Sequence, residues 1–171
     1  PNNMTLAMVG KAAGFTGGLV SHRFGSKSGL LQAVSERILE HWSARALHKQ
    51  GLLESSGIER LKLAAEFYLD DVREGSDLMV TQLRLMHASY NSCPDLLPYF
   101  QEFDQSIRAS IIDIITDAPN TQSDINLQAF AVTFIGTLRG IAQQYFISKE
   151  HVDLEEAKLM IWKICDNVLK S

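Results

Sequence analysis

Residues 16–31 read TGGLVSHRFGSKSGLL, and this stretch decides how the chain is interpreted. Ahead of it, Thr5 is suited to cap a short helix that Gly14 is placed to end. Thr16 is suited to cap a second short helix, after which Ser26 opens a long one. Two short helices joined by a glycine turn and followed by a long helix are typical of a helix-turn-helix.

The second short helix is poorly suited to stand alone. Helices under about 12 residues are marginal in water, and Gly17 and Gly18 weaken this one by up to about 1 kcal/mol each relative to alanine. Val20 and Phe24 form its apolar side, and Phe15 just before it is expected to point into the core. We therefore expect its opposite, polar side to approach a partner closely.

The stretch TLAMVGKAAGFTGGLVSHRFGSKSGLLQAV, residues 5–34, resembles the DNA-binding segment of TetR-family transcriptional regulators. In that family a capped helix ends in Ala-Gly, a hydrophobic residue and Ser or Thr begin the recognition helix, and Phe-x-x-Lys-x-x-Leu-Leu opens the next helix. The matching residues here are Ala13, Gly14, Phe15, Thr16, Phe24, Lys27, Leu30 and Leu31. The Gly-x-x-Ser-His-x-Phe portion is most similar to the choline-responsive members. The motif covers roughly the first 45 residues.

The sequence departs from the family's pattern in two places. The family has a helix ahead of the position of Thr5, and that first helix of the DNA-binding domain is absent from this sequence. Ser21 stands where the family often has an aromatic residue that contacts the DNA backbone. A serine hydroxyl can still bond to a phosphate, over a smaller contact area.

The resemblance implies a set of DNA-binding residues, with residues 17–23 in the major groove. The predicted set is Thr5, Thr16, Gly17, Gly18, Ser21, His22, Arg23 and Lys27. Contacts to base edges are expected from Thr16 and His22. Gly17 and Gly18 are expected to let the helix backbone approach the duplex. The alternative is an ordinary helical corner with solvated polar residues.

Phosphate contacts are expected from Ser21, Arg23 and Lys27. Lys27 falls in the first turn of the long helix, where free N–H groups and the helix dipole favour an anion. A cation at that position is understandable if a phosphate lies beside it. Because the other side chains of this helix are small, we expect shape and backbone contacts to carry much of the binding.

The charge of the chain is unevenly distributed. The formal net charge is −4, yet residues 1–49 carry six Lys or Arg against two Glu. These residues are therefore net +4 and the rest net −8. A basic N-terminal part on an acidic remainder fits DNA binding confined to one end, although charge also fluctuates along chains without a functional reason.

The remainder of the sequence predicts an all-α body. Helical apolar spacing covers residues 26–47, 58–74, 77–91, 96–117, 124–148 and 153–170, with no alternating strand pattern. Breaks are predicted at 50–57, at Cys93-Pro94 and at Ala118-Pro119-Asn120. We expect a DNA-binding domain with its connecting helix over residues 1–48, and a ligand-binding and dimerisation domain over 49–171.

The last two predicted helices have heptad-like seams. The seam residues are Leu127, Ala131, Phe134, Leu138, Ile141 and Tyr145 in one helix, and Leu154, Ala157, Ile161, Ile164 and Val168 in the other. Second apolar sets are Phe130, Ile135 and Phe146, and Met160, Trp162 and Leu169. One face can pack on its own body and the other on a second copy, with Gly136 and Gly140 allowing close approach. This pattern predicts a homodimer built on a four-helix bundle; the alternative is a single larger core.

The resemblance also implies a small-molecule pocket between the middle helices. The candidate lining residues lie on or near apolar stripes, and they are Tyr68, Met86, His87, Tyr90 and Phe103. For each of them the alternative is an ordinary core residue, because aromatic and methionine side chains at helical spacing are common in cores.

The sequence offers no catalytic, metal or cofactor site. It contains no His-Glu-x-x-His, Glu-x-x-His or Gly-x-Ser-x-Gly motif. Cys93 and Cys165 match no zinc or disulfide spacing, so free cysteines of a reduced cytosolic protein are expected. No run of 18 or more apolar residues and no secretory leader is present, so no membrane span is expected.

We therefore predict a cytoplasmic TetR-like regulator that is not an enzyme and needs no cofactor. Its expected partners are a pseudo-palindromic operator, a small-molecule effector that releases the repressor from it, and a second copy of the chain. The alternative is a helical ligand-binding or dimerisation module that does not bind DNA.

Overall fold

The computed structural model describes residues 4–49, 51–117 and 125–169, and these residues are helical without any strand. The α-helices are α1 Leu6–Ala12, α2 Gly17–Phe24, α3 Lys27–Leu47, α4 Gly57–Glu74, α5 Asp77–Ser89, α6 Leu97–Thr116, α7 Leu127–Ile147 and α8 Leu154–Leu169. Short 3₁₀ helices cover Pro94–Leu96 and Lys149–His151. The predicted all-α class is confirmed. The predicted break at 118–120 lies outside the described residues.

The helix ends are set by local hydrogen bonds from capping residues that can be recognised in the sequence. The Thr5 hydroxyl caps α1 and the Thr16 hydroxyl caps α2, each accepting a backbone N–H three residues on. The Asn126 side chain caps α7 in the same way, accepting from the N–H of Ala129 at 3.0 Å. Gly75 ends α4 in the left-handed conformation, with φ +62°. The predicted capping threonines are therefore confirmed.

The described residues divide into two compact units whose chain segments alternate. Unit 1 takes residues up to Ser43 together with Val80–Phe103, and unit 2 takes Ala44–Met79 with the residues from Asp104 onward. Helices α3, α5 and α6 each contribute to both units. The domain boundary predicted between residues 48 and 49 divides the chain into two continuous segments, unlike these units, and it remains a prediction.

Unit 1 has an apolar core beside the start of α3. Its buried members are Leu31, Leu85, Met86, Ala88, Cys93, Leu96 and Phe100, with Met4, Val34, Tyr99 and Phe103 packed against them. One polar contact crosses this interior: the Ser35 hydroxyl donates to Oε1 of Gln82 at 2.8 Å, and both residues are buried. A buried polar group is costly without a partner. Sliding α3 along α5 would break this bond, so the bond fixes the register of the two helices.

Unit 2 is built on packing of α4 against α7 and α8. Lys62 of α4 is buried and bonds Asp166 of α8 at 2.8 Å, and the indole N–H of Trp162 donates to the carbonyl oxygen of Lys62 at 3.3 Å. Burial lowers the pKa of Lys62, but hydrogen bonds to Asp166 and Glu59 outweigh it, so the net pKa is raised. These contacts fix α8 on α4.

The apolar faces of α7 and α8 only partly follow the predicted seams. In α7 the seam residues Ala131, Phe134, Leu138 and Tyr145 are buried, and Phe130 and Ile135 of the second set are buried too. In α8 the buried stripe is Leu154, Ile161, Cys165 and Leu169. Ile164 and Val168 of the predicted α8 seam are exposed within the chain, so their packing on a second copy stays a prediction.

Other predictions about single residues have mixed outcomes. Phe15 is expected from the sequence to point inward, but its side chain is 59% exposed, because the turn between α1 and α2 carries it away from the core. Cys93 and Cys165 are both free, and the structure buries both of them. Within the described ranges, none of the helices combines the length and apolar character that crossing a membrane requires.

Candidate DNA-binding surface

Helices α1 and α2 meet backbone to backbone at two glycines. A Cβ on Gly17 would stand 2.8 Å from the Cα of Ala7, and a Cβ on Gly10 would stand 2.9 Å from the carbonyl oxygen of Thr16. Real Cβ atoms essentially never approach so closely, so any side chain here would push the helices apart. Gly10 and Gly17 therefore set how α1 and α2 pack.

The turn between these helices depends on a third glycine. Gly14 has φ +77°, a conformation that L side chains rarely adopt. The chain then doubles back, so that the N–H of Phe15 donates to the carbonyl oxygen of Gly10 at 2.8 Å. This bond fixes the entry to α2 together with the Thr16 cap, whose hydroxyl oxygen accepts from the N–H of Leu19 at 3.3 Å.

The connection from α2 to α3 is equally tight. Gly25 has φ +69°, and the N–H of Ser26 donates to the carbonyl oxygen of Phe24 at 2.7 Å. The Ser26 hydroxyl caps α3 by accepting from the N–H of Gly29 at 3.0 Å. A Cβ on Gly29 would overlap the Phe24 carbonyl oxygen. The turn thus holds Lys27, the first residue of α3, directly after the end of α2.

The outer face of α2 is exposed and polar. Val20 is buried, whereas Gly18, Ser21, His22 and Arg23 are exposed. Helical residues three and four apart are neighbours, so Gly18, Ser21 and His22 share one surface, and Arg23 lies beside it. Because residues 1–35 contain no Asp or Glu, α1, α2 and the first turns of α3 contribute no carboxylate to repel a phosphate.

Three of the predicted contacts have restricted geometry. The hydroxyl oxygens of Thr5 and Thr16 already accept capping hydrogen bonds, so only their hydroxyl hydrogens remain for a phosphate. The Arg23 guanidinium lies 5.7 Å from the centre of the Phe24 ring, which holds it beside the end of α2. A Cβ on Gly18 would meet no described atom within 4 Å, so position 18 is open to an approaching surface.

Comparisons with known proteins agree with this geometry. The family model of bacterial regulatory proteins, tetR family, matches residues 1–34. The HTH-type transcriptional regulator BetI of Yersinia pestis (strain Pestoides F) is 28% identical over 159 residues, 92% of this chain and 78% of that protein. BetI of Burkholderia thailandensis is 35% identical over 80 residues, 46% of this chain and 40% of that protein.

Solved structures show the same fold. A TetR-family transcriptional regulator from Rhodococcus sp. superposes with a TM-score of 0.83 at 19% identity, over 98% of this chain and 89% of that one. A TetR transcription regulator from Haloarcula marismortui gives 0.75 at 19% identity, over 98% and 88%.

The family model, the BetI relatives and the solved structures together support a TetR-family transcriptional regulator. They likewise support DNA binding through a helix-turn-helix. Among the residues that the structure describes, no group of three or more His, Cys, Asp or Glu is placed to hold a metal ion.

The predicted ligand residues have different environments. In unit 1, Met86 is buried in the core cluster and Phe103 packs against it. His87 and Tyr90 are exposed, with their ring centroids 6.3 Å apart. Tyr68 belongs to unit 2, where burial raises the pKa of its hydroxyl to about 12. The assignment of these five residues to a pocket remains a prediction.

The sequence reasoning missed three positions that shape the DNA-binding surface. Gly10 and Gly29 allow close backbone packing, and Leu19 is an exposed apolar side chain on α2. Glycine destabilises a helix interior. The presence of Gly10 and Gly29 inside predicted helices could therefore have indicated close packing there. Leu19 carried no such signal, because only the packing of α2 shows which side of the helix it occupies.

Proposed function

We propose that the chain is a homodimeric repressor that binds a pseudo-palindromic operator and is released from it by a small molecule. The observation that carries the DNA-binding part is the exposed face of α2, which apart from Leu19 is polar, is free of carboxylates and is held by tight glycine contacts. The similarity to TetR-family regulators supports the rest, since those regulators bind operator DNA and usually dimerise.

The outer faces of α7 and α8 support pairing with a second copy. An apolar groove of about 330 Å³ runs between them, lined by Ala129, Thr133, Thr137, Ile161, Ile164 and Val168 among others. Val132 and Met160 add exposed apolar area, at 52% and 57%. Such a face is costly in water. A second copy presents the same face, as a twofold interface requires.

Two glycines of α7 strengthen this proposal. Cβ atoms on Gly136 and Gly140 would meet no described atom within 4 Å, so packing inside the chain does not require glycine there. Glycine inside a helix costs about 1 kcal/mol relative to alanine. A partner helix approaching the α7 backbone closely would account for that cost.

Mutation of the groove tests the dimer. Ile164→Glu and Val168→Glu should convert the chain to a monomer, because each places a charge in the apolar interface. Leu53→Glu is the matched control, since Leu53 is also exposed, at 49%, but lies outside α7 and α8. Sedimentation velocity gives the mass; a monomeric wild-type chain, or dimers of all three variants, would refute this interface.

The repressor proposal requires two DNA-binding heads at a set separation. Heads that read adjacent major grooves must lie one helical turn apart, roughly 34–36 Å. An effector that binds better to a conformation with a different separation lowers DNA affinity by that difference in binding free energy, and by no more.

Buried polar groups support a small-molecule effector. In unit 1, Gln82 is 2% exposed and, with Oε1 bonded to Ser35, its Nε2 has no partner among the described residues. In unit 2, the buried Tyr68 hydroxyl also lacks a hydrogen-bond partner in the described part of the chain. An unsatisfied buried donor costs about 1–3 kcal/mol, and a bound ligand with acceptor atoms would recover it.

DNA binding is tested with the full-length chain and the DNA upstream of its own gene. A fluorescence titration at two salt concentrations should show specific binding that weakens as salt rises. The alternative, a helical ligand-binding or dimerisation module, predicts no binding at either concentration. A reporter driven by the bound DNA gives the sign of regulation: deletion of the regulator should raise expression.

Effector release is tested by screening small metabolites for ones that both stabilise the chain thermally and dissociate the operator complex. Tyr68→Phe should weaken the binding of such a compound. It should not lower the melting temperature of the free protein, because it removes a hydroxyl that has no hydrogen-bond partner there. Tyr145→Phe is the control, since Tyr145 of α7 is not among the candidate lining residues. Unchanged operator affinity at saturating ligand would refute release by that ligand.

A further inference from the structure

Leu19 is the one large apolar side chain of α2 whose presence is not explained by packing within the chain. Val20 is buried and Phe24 is half-buried, whereas Leu19 is 51% exposed. Its N–H completes the Thr16 cap, and any residue with a backbone N–H could do the same. The leucine side chain is therefore not needed to form the helix.

The helix geometry places Leu19 at the side of the outward face of α2. Successive residues of an α-helix are about 100° apart, so Leu19 lies roughly 100° from the buried Val20 and next to His22, three residues on. Gly18, on the other side of His22, has open space above it. Leu19 is thus the exposed apolar side chain that borders His22.

Two residues near Leu19 already have structural roles. The Thr16 hydroxyl oxygen is used by the cap of α2, and Gly17 is required for the packing of α2 on α1. Of the side chains that remain to enter a major groove, Leu19 is the only apolar one on α2. An apolar side chain in the major groove has one complementary group on the base pairs, the C5-methyl of thymine.

We propose that Leu19 is a specificity-determining residue that contacts the methyl group of a thymine in each half of the operator. This inference rests on the proposed DNA binding through α2. It adds an apolar contact to the hydrogen bonds expected from His22, and it makes an A·T pair at that position preferable to any pair lacking the methyl group.

The test uses the full chain and finds the operator sequence as its first step. Wild-type protein selects binding sites from a library of randomised duplexes. Each thymine of the selected consensus is then replaced singly by deoxyuridine, which removes only the methyl group. At one position per half-site, this replacement should weaken wild-type binding about fourfold, the effect of losing one buried methyl group.

Leu19→Ala should bind the thymine and deoxyuridine duplexes equally at that position. Met8→Ala is the control: Met8 is 57% exposed but lies on α1, so this variant should keep the fourfold preference. Circular dichroism verifies that both variants fold. If deoxyuridine never weakens wild-type binding, or if Leu19→Ala keeps the methyl preference, the proposal for Leu19 is overturned. If the wild type selects no sequence, the proposed DNA-binding function itself fails.

Discussion

The Cα of Ala7 occupies the space that a side chain on Gly17 would need, since a Cβ there would stand 2.8 Å from it. Helix α2 is short, so its position depends on contacts such as this one with α1. The position of the proposed DNA-binding surface is therefore set by a residue that contributes no side chain to it.

Gly17→Ala should displace α2, and Gly18→Ala is the matched control. Alanine at position 17 forces the backbones of α1 and α2 apart, whereas a Cβ at position 18 meets no described atom within 4 Å. We expect Gly17→Ala to lower the melting temperature and DNA affinity together, with a cost of about 1–3 kcal/mol. Thermal unfolding should show no loss for Gly18→Ala, because alanine is the better helix former. Equal stability of the two variants would show that the α1–α2 contact is not tight.

Lys27→Ala and His22→Ala should affect DNA binding in different ways. Removal of a phosphate contact at Lys27 should weaken binding to every sequence and reduce the slope of log affinity against log salt by about 1. His22→Ala should instead relax the preference for particular bases. Titrations of specific and non-specific duplexes at several salt concentrations separate the two effects. Non-specific affinity that stays unchanged in Lys27→Ala would exclude the phosphate contact.

Arg45 at the end of α3 pairs with two carboxylates of α4 that differ in burial. Asp71 is 1% exposed, whereas the Glu74 side chain is 58% exposed and lies 3.0 Å from the guanidinium. Arg45→Ala should destabilise unit 2 by about 3–5 kcal/mol, because it removes the guanidinium from a buried carboxylate. Glu74→Ala should cost no more than about 1 kcal/mol. Urea unfolding measures both; similar losses would mean that Asp71 does not depend on Arg45.

Stability at alkaline pH should depend on Cys165. Burial raises the pKa of this thiol from 9.0 to about 11, an effect that the charge of Lys62 partly opposes. Since the pKa is higher in the folded chain, the unfolded chain loses its proton first. The contribution to stability is therefore complete below pH 9 and is lost as the pH rises towards 11.

Urea unfolding at pH 8 to 10 tests this expectation, with Cys165→Ala as the comparison. The alanine variant should lose less stability over this range than the wild type. In a Cys93→Ala background, Cys165 should also resist a thiol reagent until the chain unfolds, because thiolate is the reactive form. Rapid labelling of the folded chain at pH 8 would contradict the burial of Cys165.

The sequence by itself determined the features that depend on neighbours along the chain. The caps at Thr5, Thr16 and Ser26 were predictable because each involves a hydroxyl and a backbone N–H only three residues apart. The all-α class and most helix limits followed from the periodicity of apolar residues, and the family from a motif within the first 45 residues or so.

Tertiary structure decided which surfaces are buried. The sequence predicted that Phe15 points inward, but its side chain is exposed, while the small Cys165 lies in the core. A helical pattern shows only that apolar residues share a side; the neighbouring helix determines which of them lose contact with water. The packing role of Gly17 was hidden for the same reason, since it depends on where α1 crosses α2, a contact between residues ten positions apart whose distance no local rule fixes.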